Sequence, residues 1–352
     1  MKQPKIGLVM IVRNEAAVIA RCLDSVKDLV DYWTIVDTGS TDDTVKVIRQ
    51  TMRGIPGNVH KRKWVNFGHN RTQALRLAKG TAQYLLQMDA DYELVRQSAL
   101  PRLTADAYMV SFEGPLDWRV PQLISGSKDW YYVGSAHEYL TCDEPYTKAN
   151  LDAIVYRNHG DGAGMHTRSQ RNLELLLKDE MNERTVFYLA QTYKDLGDTP
   201  KAVQYYTKRI AMGGWDEEIF YSTWQKGLLS QDPAVLLDAW QLRPTRAEPL
   251  HSLAMLYNRQ GKHDLAYLFA TKGLKTPYPP DILFVQRSIY HYEMLFEWSI
   301  AAYWAGEVVA AHRANQELLK MELPDNIRNQ VIINQKWCEK ALAKSASQSK
   351  QR

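Results

Sequence analysis

The sequence predicts an α/β sheet domain followed by an all-α domain, and three observations carry this prediction. Short apolar runs of strand length alternate with segments of helical periodicity in the first part of the chain. The succession strand, helix, strand, helix is typical of a largely parallel sheet flanked by helices. From Arg171 onward the strand-like runs disappear, and helical segments separated by glycine turns follow one another.

The composition is that of an ordinary globular protein. The 352 residues are 45% hydrophobic and 24% charged, and this length predicts two domains or one large one. The net charge of +4 permits an anionic substrate but does not indicate a dedicated nucleic-acid binder. Cys22, Cys142 and Cys338 lie far apart, which argues against a disulfide framework or a zinc site. No apolar run has the length of a membrane span, so we expect a cytoplasmic protein.

The first two strands each lead into a polar turn. Residues 6–12 are almost wholly apolar, as expected of a strand buried on both faces, and Asn14 precedes a helical pattern over 18–26. The second strand, 33–36, ends in an acidic turn that begins at Asp37 and contains Gly39. Neither strand is followed by the glycine-rich dinucleotide fingerprint. Because an acidic turn repels phosphate, Asp37 either hydrogen-bonds a base or ribose or only fixes its own turn.

The next strand ends in two carboxylates one residue apart, Asp89 and Asp91. A strand that leads into a loop places them at the carboxyl edge of the sheet, where open α/β folds bind ligands. Two such carboxylates repel each other unless a cation compensates, and Mg²⁺ typically takes one or two carboxylates plus substrate phosphates. The pair therefore predicts a metal–diphosphate site, with a solvated loop as the alternative. Arg71, near the start of the preceding helix, either meets the diphosphate bidentately or lies exposed.

Three segments together resemble the family 2 glycosyltransferases of the GT-A fold: MIVRNE at 10–15, VDTGSTD at 36–42 and MDAD at 88–91. The resemblance covers about the first 100 residues, in order and in spacing. It implies a nucleotide-sugar donor, with a UDP-sugar favoured, and an Asp89–Asp91 pair that binds Mn²⁺ or Mg²⁺. The residues that it implies for donor binding are Val12, Arg13, Asn14, Glu15, Asp37, Gly39, Arg71 and Asp89.

The resemblance also implies a catalytic base. Residues 108–158 alternate short strand-like runs with turns, and a Gly-Ser-Ala-His-Glu segment follows an aromatic run at 130–133. A similar His-Glu in related glycosyltransferases lies on the acceptor side, which makes Glu138 the expected general base for the acceptor hydroxyl. The alternative is a glutamate that only pairs with a neighbouring histidine or arginine.

A third metal ligand is implied by a histidine that ends a later strand, His159. An imidazole beside two carboxylates suits Mn²⁺ better than Mg²⁺. His137 is the rival for this position. Just beyond, Arg168 and Arg171 either screen the charge of a diphosphate or face solvent.

The second half of the chain resembles tetratricopeptide (TPR) repeats. Residues 185–206 form a helix, a turn at Gly197 and a second helix by pattern. Gly197 to Gly227 spans 30 residues and Gly227 to Gly261 spans 34, near the 34-residue TPR period. Single repeats cannot bury their apolar faces, so stacking is expected. We predict a GT-A domain over 1–172, a TPR-like domain over 173–340 and a disordered tail over 341–352.

The predicted function is a metal-dependent transfer of sugar to an acceptor hydroxyl, with inversion as in most of the family. The acceptor is a protein, a glycan or, since the arrangement including residues 243–250 resembles repeat-bearing glycosyltransferases of phages and large viruses, a modified DNA base. A base in duplex DNA would have to be extruded, and a viral protein would act in the host cytoplasm. The repeats offer a surface for a peptide or for oligomerisation. The alternative is a non-catalytic TPR scaffold with a degenerate GT-A domain.

Overall fold

The computed structural model describes residues 4–114, 119–162 and 167–349. The chain divides into two compact units, Met1–Asp198 and Thr199–Arg352. The division falls after Asp198, whereas the sequence predicts a domain boundary between residues 172 and 173.

The described residues of the first unit form ten strands in two sheets. They are β1 (Ile6–Val12), β2 (Tyr32–Asp37), β3 (Gly57–Lys61), β4 (Tyr84–Gln87), β5 (Tyr92–Arg96), β6 (Ala107–Phe112), β7 (Arg119–Ser125), β8 (Trp130–Val133), β9 (Tyr139–Cys142) and β10 (Lys148–Asn158). The main sheet has eight strands in the order β3-β2-β1-β4-β7-β6-β10-β5, and β8 pairs with β9. Its half from β3 to β4 is parallel, and the other half is mixed. This confirms the α/β class.

Five helices belong to this unit. They are α1 (Ile19–Val26), α2 (Thr44–Thr51), α3 (Phe67–Ala78), α4 (Arg168–Leu176) and α5 (Glu183–Asp195). Strand β1 is buried on both faces, as its apolar sequence predicts: Leu8 and Met10 pack in the core that contains α1, and Val9 packs in the core that contains α3. Burial of apolar surface on both sides fixes the central strands. The loops that follow β1, β2 and β4 consequently meet at one edge.

The second unit is helical, which confirms the TPR-like prediction. Its helices are α6 (Thr199–Met212), α7 (Asp216–Ser230), α8 (Pro233–Leu242), α9 (Glu248–Arg259), α10 (His263–Gly273), α11 (Met294–Trp304), α12 (Val308–Lys320) and α13 (Asp325–Ser349), with a π-helical turn over Ile289–Glu293. Consecutive helices pack against each other, and α9 also contacts α11. Stacking of helix i on helix i+2 is how a repeat array builds a continuous core.

Two features of the helical part differ from expectation. Helices α4 and α5, assigned by sequence to the repeat domain, group with the sheet. The predicted disordered tail is helical as far as Ser349, because α13 continues through it, and residues 350–352 lie outside the described part of the chain. Among the helices that the structure describes, none combines the length and the apolar character needed to cross a membrane.

Candidate active site

The carboxyl ends of three parallel strands form the predicted site. Val12 ends β1 and lies beside Asp37, which ends β2. The Val12 carbonyl accepts hydrogen bonds from the Thr38 N–H and hydroxyl, at 2.9 and 3.1 Å. Asp89 and Asp91 follow β4, the other neighbour of β1. The sheet thus places the three segments that resemble the family at one edge.

The loop after β1 is tied to the acidic turn after β2. Asn14 has φ +56°, which a short polar side chain tolerates better than most. Its Oδ1 accepts the Thr41 N–H at 2.7 Å, and its own N–H donates to Ser40 Oγ at 3.0 Å. The Glu15 N–H donates to Thr44 Oγ1 at 2.7 Å. Asn14 therefore joins two loops rather than starting α1, which begins at Ile19.

Asp37 lies inside its turn. It is 3% exposed, and its Oδ1 accepts the Ser40 N–H at 2.9 Å. Gly39 has φ +111°, a conformation that side chains disfavour, while a Cβ there would meet nothing within 4 Å. This geometry agrees with the interpretation in which Asp37 fixes its own turn. Recognition of a base or ribose by Asp37 stays a prediction.

The two acids after β4 lie in a tight, partly buried turn. The Asp89 carbonyl accepts a hydrogen bond from the Cys22 thiol at 3.3 Å, and the Asp91 carbonyl accepts the His159 N–H at 3.1 Å. Burial, reinforced by the charge of Asp89 and opposed by Arg168, raises the pKa of Asp91 above its ordinary value. A carboxylate in this position favours an incoming cation.

Arg71 connects the acidic pair to the predicted base. Its Nη2 donates to Asp89 Oδ1 at 2.6 Å, and its Nε donates to Glu138 Oε1 at 2.7 Å. The side chains of Arg71, Asp89 and Glu138 are 17%, 31% and 11% exposed. Burial raises the pKa of the Glu138 carboxyl, and Arg71 opposes that rise. Glu138 is thus linked to Asp89 through Arg71. This pairing with an arginine is the one that the alternative interpretation of Glu138 anticipated.

Arg71 contacts a tyrosine, Tyr132, that begins a short chain of hydrogen bonds with no recognisable signal in the sequence. The Arg71 guanidinium lies 5.8 Å from the centre of the Tyr132 ring, and the Tyr132 hydroxyl donates to Gln87 Oε1 at 2.7 Å. The Gln87 carbonyl accepts from the Tyr156 hydroxyl at 2.8 Å. These side chains come from three different strands in two sheets, so only the folded unit brings them together.

The chemistry of the acids fits a hard divalent cation, but the predicted three-ligand set is not assembled. His159 Nε2 lies 2.9 Å from Glu93 Oε2, so its ring contacts Glu93. Within residues 4–114, 119–162 and 167–349, no group of three or more His, Cys, Asp or Glu side chains is placed to hold a metal. Asp91 and the second oxygen of Asp89 fit an ion whose other ligands come from a diphosphate and water. The role of His159 as a ligand stays a prediction.

Three arginines, Arg13, Arg168 and Arg171, also act electrostatically at this edge of the sheet. The charges of Arg168 and Arg13, together with burial as the largest cause, lower the pKa of Arg171, while Glu15 opposes them. The Arg171 guanidinium lies 4.9 Å from the Phe67 ring centre. Its Nε is buried, and no described atom accepts a hydrogen bond from it. A Cβ on Gly162 would lie 3.4 Å from Glu15 Oε2 and 3.5 Å from Asp91 Cγ, which places these acids close together.

His137, the rival metal residue, is engaged elsewhere. Its ring stacks on Tyr188 of α5, with centroids 4.2 Å apart and planes 5° from parallel. Burial, together with the charges of Arg168 and Arg184, lowers the pKa of His137 to about 4. His137 therefore remains neutral near pH 7.

The fold and this site define a two-part protein, an α/β domain with an acidic ligand edge and a TPR-like helical domain. Residues 8–166, which contain the predicted site residues, match the family described as glycosyl transferase family 2. The match to this family covers the sheet-containing part of the chain, and TPR-like helices follow it.

Relatives match both parts. A TPR repeat-containing protein of Synechococcus elongatus is 29% identical over 291 residues, which cover 74% of this chain and 64% of that protein. The glycosyltransferase SunS of Bacillus phage SPbeta is 35% identical over 229 residues, 59% of this chain and 53% of SunS. The structure of S. aureus TarS 1-349 in complex with UDP-GlcNAc superposes with a TM-score of 0.36 and 14% identity, covering 73% of this chain and 92% of that fragment. The chain spans less than two thirds of these two curated relatives.

Proposed function

We propose that this protein is a glycosyltransferase that moves a sugar from a nucleoside-diphosphate donor, with a UDP-sugar favoured, to an acceptor hydroxyl. The observation that carries the proposal is the bridge from Asp89 through Arg71 to Glu138. It joins the edge expected to hold the donor to a carboxylate able to accept a proton. The family match over residues 8–166 supports the same reaction class.

The donor diphosphate would lie between the acids and the arginines. Arg168 and Arg171, at the start of α4, lie within electrostatic reach of this edge. The charge of Arg168 opposes the rise in the pKa of Asp91, and the charge of Glu15 opposes the fall in the pKa of Arg171. A divalent cation, Mn²⁺ or Mg²⁺, would offset the charge that develops on the diphosphate leaving group when it is bound. Asp91 and one oxygen of Asp89 would hold it.

Glu138 would act as the general base. The acceptor oxygen bonds to the anomeric carbon, the bond from that carbon to the diphosphate oxygen breaks, and the acceptor proton passes to Glu138. A single displacement of this kind inverts the anomeric carbon. Arg71 would hold the Glu138 carboxylate in place through its Nε at 2.7 Å and favour its ionised form.

The test is release of UDP from a panel of UDP-sugars, with Mn²⁺, with Mg²⁺ and with EDTA. We expect release with at least one donor and loss of metal-dependent release in Asp91→Asn. The matched control is Asp129→Asn, an exposed acid that pairs with Lys79 at the carboxyl end of α3. Donor binding without any turnover would instead favour the non-catalytic scaffold.

The acceptor would approach Glu138. A protein, a glycan and a modified DNA base are the three classes to compare, with peptide, oligosaccharide and hydroxymethylated DNA as probes. Binding to DNA would weaken steeply with salt, because phosphate contacts release counterions. A concentration series by light scattering would test whether the helical repeats form oligomers.

A further inference from the structure

We infer that helix α5 is part of the catalytic machinery, and that Arg184 and Tyr188 are positioning residues for Glu138. This inference rests on the proposed function, in which Glu138 is the base. It concerns contacts within the first unit, which extends to Asp198. The helix lies outside the segment 8–166 that the family match covers.

The backbone next to Glu138 is in an uncommon conformation. His137 has φ +52°, a left-handed value that residues other than glycine seldom adopt. Such a residue keeps that conformation only when its surroundings hold it there. Because His137 directly precedes Glu138, its φ and ψ set the direction in which the Glu138 side chain leaves the chain.

Arg184 holds the His137 carbonyl with two donors. Its Nη2 donates to that oxygen at 2.7 Å and its Nε at 3.3 Å. The guanidinium also lies over two aromatic rings, 4.8 Å from the centre of Tyr139 and 4.9 Å from that of Tyr188. A planar fork stacked in this way fixes a carbonyl more firmly than an ammonium group can.

Tyr188 contacts the side chain of the same residue. The parallel stack of its ring on the His137 imidazole, at 4.2 Å, restrains the side chain while Arg184 restrains the main chain. In addition, Asn172 Nδ2 lies 3.4 Å from His137 Nε2. His137 is therefore contacted by both α4 and α5.

The start of the loop is anchored as well. The Ser135 N–H and hydroxyl donate to Asp179 Oδ2 at 3.1 and 2.7 Å, in the connection between α4 and α5. The Ser135 carbonyl accepts the Phe67 N–H at 3.1 Å, at the start of α3, the helix that carries Arg71. Glu138 is thus fixed through its main chain by α5 and through its carboxylate by α3.

The experiment compares Arg184→Met, Arg184→Lys and Tyr188→Ala with the wild type, using the full chain, Mn²⁺ and the UDP-sugar that gives fastest UDP release. We expect kcat to fall by about tenfold to a hundredfold, since a misplacement of about 1 Å at a reacting group has effects of that size. The KM for the donor should change less than about twofold. Tyr188→Phe, which keeps the ring, should restore most of kcat, and Arg184→Lys should not.

A double-mutant cycle separates positioning from general destabilisation. In a Glu138→Gln background, Arg184→Met should lower kcat no further, because the group that it positions is already removed. The matched control is Lys178→Met, which removes an exposed charge in the connection before α5 and should leave kcat unchanged in both backgrounds. Additive losses, or equal rises in KM and falls in kcat, would overturn the positioning role.

Amide hydrogen exchange gives a readout that does not depend on turnover. Residues 134–139 should exchange faster in Arg184→Met than in the wild type or in Lys178→Met, because the loop loses its restraint. Unchanged exchange there would overturn the inference even if turnover fell. If Glu138→Gln turns over like the wild type while exchange still rises, the base assignment fails and the structural restraint stands.

Discussion

Replacement of Arg71 by methionine tests the central ionic contact of the site. The variant keeps an apolar stem of similar length but leaves Asp89 and Glu138 without their shared guanidinium. Removing one partner of a buried ion pair costs about 3–5 kcal/mol. Because Asp89 is 31% exposed and Glu138 only 11%, most of the cost falls on Glu138. We expect about 3 kcal/mol less stability at pH 7, by urea unfolding.

The pH dependence of that loss distinguishes electrostatics from packing. Arg71 lowers the pKa of Glu138, so its removal raises that pKa further in the folded state. The folded variant then takes up a proton more readily than the unfolded chain, and its stability rises relative to wild type as the pH falls. The loss should shrink between pH 7 and pH 5. The control is Arg76→Met, an exposed arginine on the same helix. A loss below about 1 kcal/mol, or one that does not vary with pH, would refute this account of the contact.

Three further predictions follow from other buried groups. Because burial raises the pKa of Glu138 above 4.5 and the base must be ionised, the acid limb of kcat/KM should fall as pH drops through that raised pKa, and Glu138→Gln should abolish the limb. Burial lowers the pKa of His251 to about 4, so the unfolded chain binds the extra proton below pH 6.5. Stability should therefore fall by about 3 kcal/mol from pH 6.5 to 4, measured by urea unfolding, and less in His251→Gln. Arg246 is fully buried and lies 2.8 Å from Glu248, so Arg246→Met should lower the free energy of unfolding of the helical unit by about 3–5 kcal/mol. Arg313→Met, at an exposed position, should not lower it.

The parallel half of the sheet was predictable because the sequence of each central strand reflects its burial on both faces. Buried strands such as β1 read as continuous apolar runs, and each ends at a polar turn. Strand β3, Gly57–Lys61, was missed because it is an edge strand with one apolar residue, Val59. Strand β5, Tyr92–Arg96, was missed because its residues follow the acidic pair and pair antiparallel with β10. Such strands depend on their neighbours more than on their own sequence.

The candidate site was predictable in its members and not in their pairing. The position of Asp89 and Asp91 was predicted from the abrupt end of an apolar run of strand length, because open α/β folds bind ligands at the carboxyl edge of the sheet. The contact between Arg71 and Glu138 joins residues 67 positions apart, and no local pattern encodes it. The contacts between α5 and the loop before Glu138 were missed for the same reason. The sequence of α5 resembles the first helix of a repeat, so its periodicity grouped it with the later helices, although α5 belongs to the sheet unit.

Charge balance at the edge bears on the expected metal dependence. Acidic and arginine side chains act on one another there. The acids include Glu15, Asp89, Asp91, Glu138 and Asp161, and the arginines include Arg13, Arg71, Arg168 and Arg171. Arg71 is already committed to two of the acids. An arriving diphosphate would therefore bring an excess of negative charge into a partly buried edge, where it is costly. A divalent cation that enters with the donor removes that excess, so donor affinity should rise with Mn²⁺ in the wild type and rise less in Asp91→Asn.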